Sequence, residues 1–166
     1  MKLKTRIFQI LGVAAIATIG MTSCDTDACA DIECGDYGTC LDGDCVCDAG
    51  FSGADCAVMN RAAFIGTTNL SGTSACGTTG NGNFPATATT FSAGTGMTKL
   101  VMNVGGSLAI ACTVTSPTSF TVDTQTIDTY TYGGTGTLSG TTVSVSLTEQ
   151  DPSVPETCTY TLSGTL

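Results

Sequence analysis

Apolar and polar residues are arranged along this chain in three different ways. From Ile7 to Gly20 the sequence is almost continuously apolar, broken by Gln9 and Thr18, and Lys2, Lys4 and Arg6 precede it. A membrane-spanning helix needs ~20 apolar residues, so the run is too short to span and has the layout of an export signal. From Asp25 to Cys56 there is no sustained apolar period, and cysteine, glycine and acids make up most of the segment. From residue 62 to 166 short segments alternate apolar with polar, and none reads as an amphipathic helix. Alternation of that kind predicts strands near 62–70, 86–92, 97–104, 108–115, 118–123, 125–132, 142–148 and 157–162. Gly80-Asn-Gly82, Gly94-Thr-Gly96, Gly105-Gly106, Gly133-Gly134 and Pro152 supply the turn residues between them.

Within Leu108-Ala-Ile110-Ala-Cys112-Thr-Val114 the larger apolar side chains share one face, and Val143, Val145 and Leu147 do so on a later strand. One face is therefore buried and the other wet. Of the 105 positions from 62 onward, 27 are threonine, which suits half-exposed strands. The fold class expected is a small disulfide-rich module followed by an all-β domain, either an antiparallel up-and-down barrel or a β-sandwich.

Charge then narrows the functions. Beyond the export signal Arg61 and Lys99 are the only bases, against 14 acids, and two isolated cations cannot supply the counterion release on which nucleic-acid binding depends. No nucleic-acid partner is expected. The chain has no histidine, which removes Ser-His and Cys-His nucleophilic pairs together with the commonest metal ligand. Asp123, Asp128, Glu149, Asp151 and Glu156 are the only acids of the β domain, and each reads as a solvated residue near a strand end. The chain is expected not to be an enzyme and to need no cofactor. Sugar-binding platforms usually contain tryptophan, and there is none; Tyr130 and Tyr132 share a strand face with Thr129 and Thr131 opposite, as a small ligand platform or as core. T-x-T units such as Thr87-Ala-Thr89 and Thr113-Val-Thr115 make an ice-binding array only if flat register aligns them.

Six cysteines are spaced C-x4-C-x5-C-x4-C-x-C-x8-C from Cys29 to Cys56, ending Cys45-Val-Cys47-Asp-Ala-Gly50-Phe51-Ser-Gly53-Ala-Asp-Cys56. This pattern resembles the epidermal growth factor-like (EGF-like) module. The resemblance implies pairings Cys29 to Cys40, Cys34 to Cys45 and Cys47 to Cys56, and an oxidising compartment in which they persist. A module of ~30 residues cannot bury enough apolar surface to fold alone, and each bridge contributes ~2 to 3 kcal/mol. Zinc modules favour C-x2-C pairs, so Cys45-Val-Cys47 is not a zinc knuckle. Calcium-binding members carry acids before the first cysteine, as Asp25-Thr-Asp27 does, but Ala28 stands where a Glu or Gln is expected and the Leu41-Asp-Gly-Asp44 loop lacks the further ligand, so calcium is not expected.

Met21-Thr22-Ser23-Cys24 resembles a bacterial lipobox, which implies that Cys24 is acylated and becomes the first mature residue. Several acyl chains make a durable membrane anchor. The acids directly behind Cys24 resemble the surface-sorting tag of Bacteroidetes lipoproteins, and equally describe a solvated spacer. The organisation expected is a signal at 1–23, an acidic tether at 24–28, the EGF-like module at 29–56, a linker at 57–61 and the β domain at 62–166. The strings Phe64-Ile-Gly66-Thr and Cys158-Thr-Tyr160-Thr look like small lipocalin-like barrels of such lipoproteins. Three cysteines remain: Cys76, Cys112 and Cys158. Closure of a barrel makes its first and last strands neighbours and allows Cys76 to pair with Cys158, leaving Cys112 as a buried thiol; Cys112 with Cys158 is the alternative. The function expected is a non-enzymatic, lipid-anchored protein of the outer membrane and cell surface that presents both domains to a protein or glycan ligand. The alternative is a lipocalin-like barrel holding a small apolar ligand, with the module as spacer.

Overall fold

A computed structural model describes residues 27–77, 80–154 and 156–166. The signal, Cys24 and Asp25 lie outside the described residues. The chain begins with a small module whose β1 (Gly38–Leu41) and β2 (Asp44–Cys47) form a hairpin. Its two-residue turn, Asp42-Gly43, has φ of 53° and 90°, the left-handed backbone that a tight hairpin requires and that Asp and Gly tolerate. Disulfides join Cys29 to Cys40, Cys34 to Cys45 and Cys47 to Cys56, with Cα separations of 5.8, 5.4 and 5.2 Å. Cys34, Phe51 and Cys56 are the module's buried apolar side chains, and Tyr37 stacks on Phe51 at 3.9 Å. With one buried ring as its only large apolar core residue, the module depends on sulfur bridges for its shape.

Residues 57–61 are not a free linker. Val58–Met59 (β4) pairs with Phe51–Ser52 (β3), and a 3-10 helix follows at Asn60–Phe64. Asn60 is buried, donating from Nδ2 to the Phe51 carbonyl at 3.3 Å and accepting from Ser52 Oγ at 2.5 Å. Arg61 donates to the carbonyls of Gly94, at 3.1 Å, and Gly96. The module is thereby fastened to one end of the domain that follows.

That domain is a closed barrel of eight antiparallel strands in up-and-down order: β5 (Gly66–Cys76), β6 (Gly80–Ala93), β7 (Lys99–Val104), β8 (Leu108–Ser116), β9 (Ser119–Ile127), β10 (Tyr130–Ser139), β11 (Thr142–Asp151) and β12 (Glu156–Thr165). β12 returns to pair with β5, Cys158 opposite Cys76 and Leu162 opposite Gly72. A closed barrel has no sandwich edge to leave open, and so settles the architecture. Leu70, Phe91, Leu100, Met102, Ile110, Phe120, Val143, Val145 and Leu162 fill the interior, each at most 2 % exposed. Phe64, fully buried, enters from the module's end and meets Phe120 edge-on at 5.3 Å.

Four expected boundaries are corrected. The 118–123 and 125–132 segments do not meet near Thr124; the turn is at Asp128-Thr129, with Asp128 at φ 55°. Gly133-Gly134 lies inside β10 at a bulge, not in a turn. Gly80-Asn-Gly82 belongs to β6. Residues 62–64 are in the 3-10 helix, and β5 starts at Gly66.

Candidate functional site

The strands divide the barrel into two ends. The 94–98, 117–118 and 140–141 turns lie at the end where Arg61 fastens the module; the 105–107, 128–129 and 152–154 connections rim the opposite mouth. At that mouth the inward phase of β11, which carries Val143, Val145 and Leu147, continues into Glu149 and Asp151. Glu149 stands opposite Tyr132 on β10 and Cys158 on β12. Tyr160 Oη donates to Glu149 Oε1 at 3.4 Å, and Phe84 meets the Tyr160 ring edge-on at 5.8 Å. Tyr132 is buried while Tyr130, two residues nearer the rim, is exposed. Burial pushes the Tyr132 hydroxyl up to about 12, and the charge and hydrogen bond of Glu149 act in the same direction. Tyr132 therefore stays a neutral donor. A hollow of about 220 Å³ is lined by Tyr130, Glu149, Asp151, Val154, Glu156 and Cys158. Three of the five acids read as scattered turn residues are thus brought to one place, together with the two tyrosines of the sequence platform.

The others are elsewhere. Asp123 is on the outer wall, where it accepts from Lys99 Nζ at 2.8 Å and Thr113 Oγ1 at 2.6 Å. Desolvation opposes its charge, but those two donors outweigh it and hold the carboxyl below its usual range. Asp128 occupies its turn. Threonine and serine side chains also come into register across the outer wall, as in Thr135, Ser146, Thr161 and Thr73, beside a hollow of about 360 Å³. That wall follows half the circumference of a closed barrel, and its curvature removes the flat array that ice binding requires.

Cys76 and Cys158 form a disulfide with Cα atoms 4.2 Å apart, and Cys112 is free and buried. The Cys76 and Cys158 sulfurs lie near Glu156 in a cluster of metal-ligand type, but their covalent bond leaves no thiolate to coordinate. Burial, helped by the charge of Asp123, raises the Cys112 thiol to about 12. In the Cys24→Ala chain, maleimide at neutral pH is therefore expected to label no thiol in the folded state and one, Cys112, in denaturant; stoichiometric native labelling would contradict this burial. In the module, Asp27 Oδ1 accepts from the Cys29 N–H at 3.0 Å and so serves the chain turn.

The bridged hairpin and the Gly50-Phe51 turn define the first domain as an EGF-like module, set before a closed antiparallel barrel. The family described as Teneurin-like EGF domain matches residues 29–59, taking in the β3–β4 pair beyond the last cysteine. No curated protein and no solved structure matches the chain.

Proposed function

We propose that the chain is a non-enzymatic lipoprotein of bacterial, Bacteroidetes-type origin, held to the outer membrane through acylated Cys24 and displayed at the cell surface, where its lipocalin-like barrel binds a ligand. The observation that carries this reading is the order of parts: an anchor motif, a stapled module fastened at Asn60 and Arg61, and a barrel whose far mouth gathers tyrosines and carboxylates. A ligand reaches that mouth without passing the module. The absence of histidine from the sequence supports a binding role over hydrolysis. A carrier of apolar ligands draws less support, because Phe91, Phe120, Ile110 and Met102 occupy the interior that such a ligand would fill.

The full chain expressed in a bacterium with an outer membrane is expected to take up radiolabelled palmitate, and Cys24→Ala to abolish the label. Protease added to intact cells is expected to digest it. An unlabelled chain would remove the anchor from this reading; a labelled chain that resists protease until the cells are broken would remove surface display.

A further inference from the structure

The far mouth has a chemistry that its own chain does not complete. Glu149 and Asp151 face it, yet neither basic side chain beyond residue 26 is there: Arg61 is bonded to Gly94 and Gly96 at the opposite end, and Lys99 is paired with Asp123 on the outer wall. The rest of the hollow's lining is Tyr130, Val154, Glu156 and Cys158, and further aromatic rings stand behind Glu149. Tyr130 lines the hollow, Tyr132 lies opposite Glu149, and Tyr160 donates to it with Phe84 packed behind. Anionic groups beside aromatic faces attract weakly hydrated cations, since the ring quadrupole adds to the carboxylate charge.

We infer that this mouth binds a small organic cation, an alkylammonium or quaternary ammonium group, against the Tyr130 ring and the Glu149 carboxylate, with Asp151 beside them. The inference deepens the reading of the barrel as a binding domain and rests on it. Tyr132 and Tyr160 are positioning residues that hold Glu149. The hollow, about 220 Å³, equals about seven water molecules at ~30 Å³ each, the scale of a short ammonium headgroup. A hard metal ion fits less well. Calcium takes six to eight oxygens, whereas Glu149 Oε1 already accepts from Tyr160, and Asp151 Oδ1 from the Ser153 N–H and Oγ. The Ser153 hydrogen bonds also hold the Asp151 carboxyl below its usual range, so it remains ionised at neutral pH.

Tyrosine emission reads this site directly. The chain has no tryptophan, three of its four tyrosines are at the mouth, and the fourth, Tyr37, is stacked on Phe51 in the module. Titrating the full chain in detergent micelles with tetramethylammonium is expected to give a saturable change. tert-Butanol, a neutral molecule of similar shape, is expected to bind at least about tenfold more weakly, and Glu149→Gln or Tyr130→Leu to weaken tetramethylammonium by a similar factor. Asp151→Asn, at the rim end of β11 and with an amide oxygen still able to accept from Ser153, gives a second variant that keeps the fold and is expected to weaken binding less. Equal affinity for the two probes would replace the cation site with an apolar hollow. No saturation by tetramethylammonium, or saturation untouched by both carboxylate variants, would overturn it outright. None of these outcomes alters palmitate labelling or surface exposure, so the failure of this site is separable from failure of the lipoprotein reading.

Discussion

Replacing Cys76 and Cys158 together by serine is expected to lower the barrel's stability by ~4 kcal/mol, read as a fall of ~15–30 °C in its melting temperature. The bond closes a loop of sequence separation 82, against 9 to 11 for each bridge of the module. Loop-closure entropy rises with the logarithm of loop length, so this single bridge restricts the unfolded barrel more than any one bridge restricts the module. It also sits where closure is hardest to nucleate. β5 and β12 are the first and last strands of the barrel, and Cys158 faces Cys76 at the last pair of their ladder. Without the bond, the β5–β12 ladder must form from strands that are far apart in sequence, the slowest kind of pairing. The measurement is thermal or urea denaturation followed by the mouth tyrosines, which lie in the barrel. A loss below ~1 kcal/mol would mean that the unfolded chain already holds its first and last strands together.

How much of this was legible depends on what the side-chain pattern encodes. Strict alternation marked β8 and β11 well, because Ile110, Cys112 and Val114 on one and Val143, Val145 and Leu147 on the other all point inward. The pattern misled where the backbone changes phase. On β9, Val122 faces Gly134 and Gln125 faces Tyr132, so an irregularity between them shifts the inward set by one residue. A phase shift in one continuous strand looks, in sequence, like the boundary between two strands. Gln125 repairs the disturbed edge by bonding both the N–H and the C=O of Ala111, at 3.0 and 2.9 Å. Glycine has the same ambiguity, marking a turn at Gly105-Gly106 and a bulge at Gly133-Gly134. The mouth was missed for a related reason. Glu149 continues the inward phase of Val143, Val145 and Leu147, a signal present in the sequence, but acids near strand ends default to solvent, and only the closed topology places β10, β11 and β12 side by side. The EGF-like module was the most legible part because its cysteine spacing is itself the fold.

Gly72→Ala is expected to cost the barrel at least ~3 kcal/mol, or a melting temperature lower by ~12 °C or more, whereas Gly77→Ala is expected to change it by less than ~0.5 kcal/mol. Both glycines belong to the β5–β6 hairpin, Gly72 within β5 and Gly77 just after it, and both would gain one methyl group. What differs is the neighbour. A Cβ at Gly72 would fall 1.9 Å from the Thr161 carbonyl oxygen and 3.0 Å from Leu162 Cα, backbone atoms of β12 that no rotamer change can move. At Gly77 the nearest atom is Glu156 Cγ at 3.9 Å, ordinary contact with a flexible side chain. Gly72 stands at the β5–β6 bulge, where the register shifts past Leu70 and a bulged strand bends, and it pairs with Leu162 of β12. The bend that closes the barrel therefore requires a residue without a side chain at that position. Relief of the clash would force β12 away from β5, disturbing the ladder that carries Cys158 and Tyr160 to the mouth. Denaturation of the two variants side by side checks the contrast, and equal melting temperatures would show that β12 does not approach Gly72 this closely.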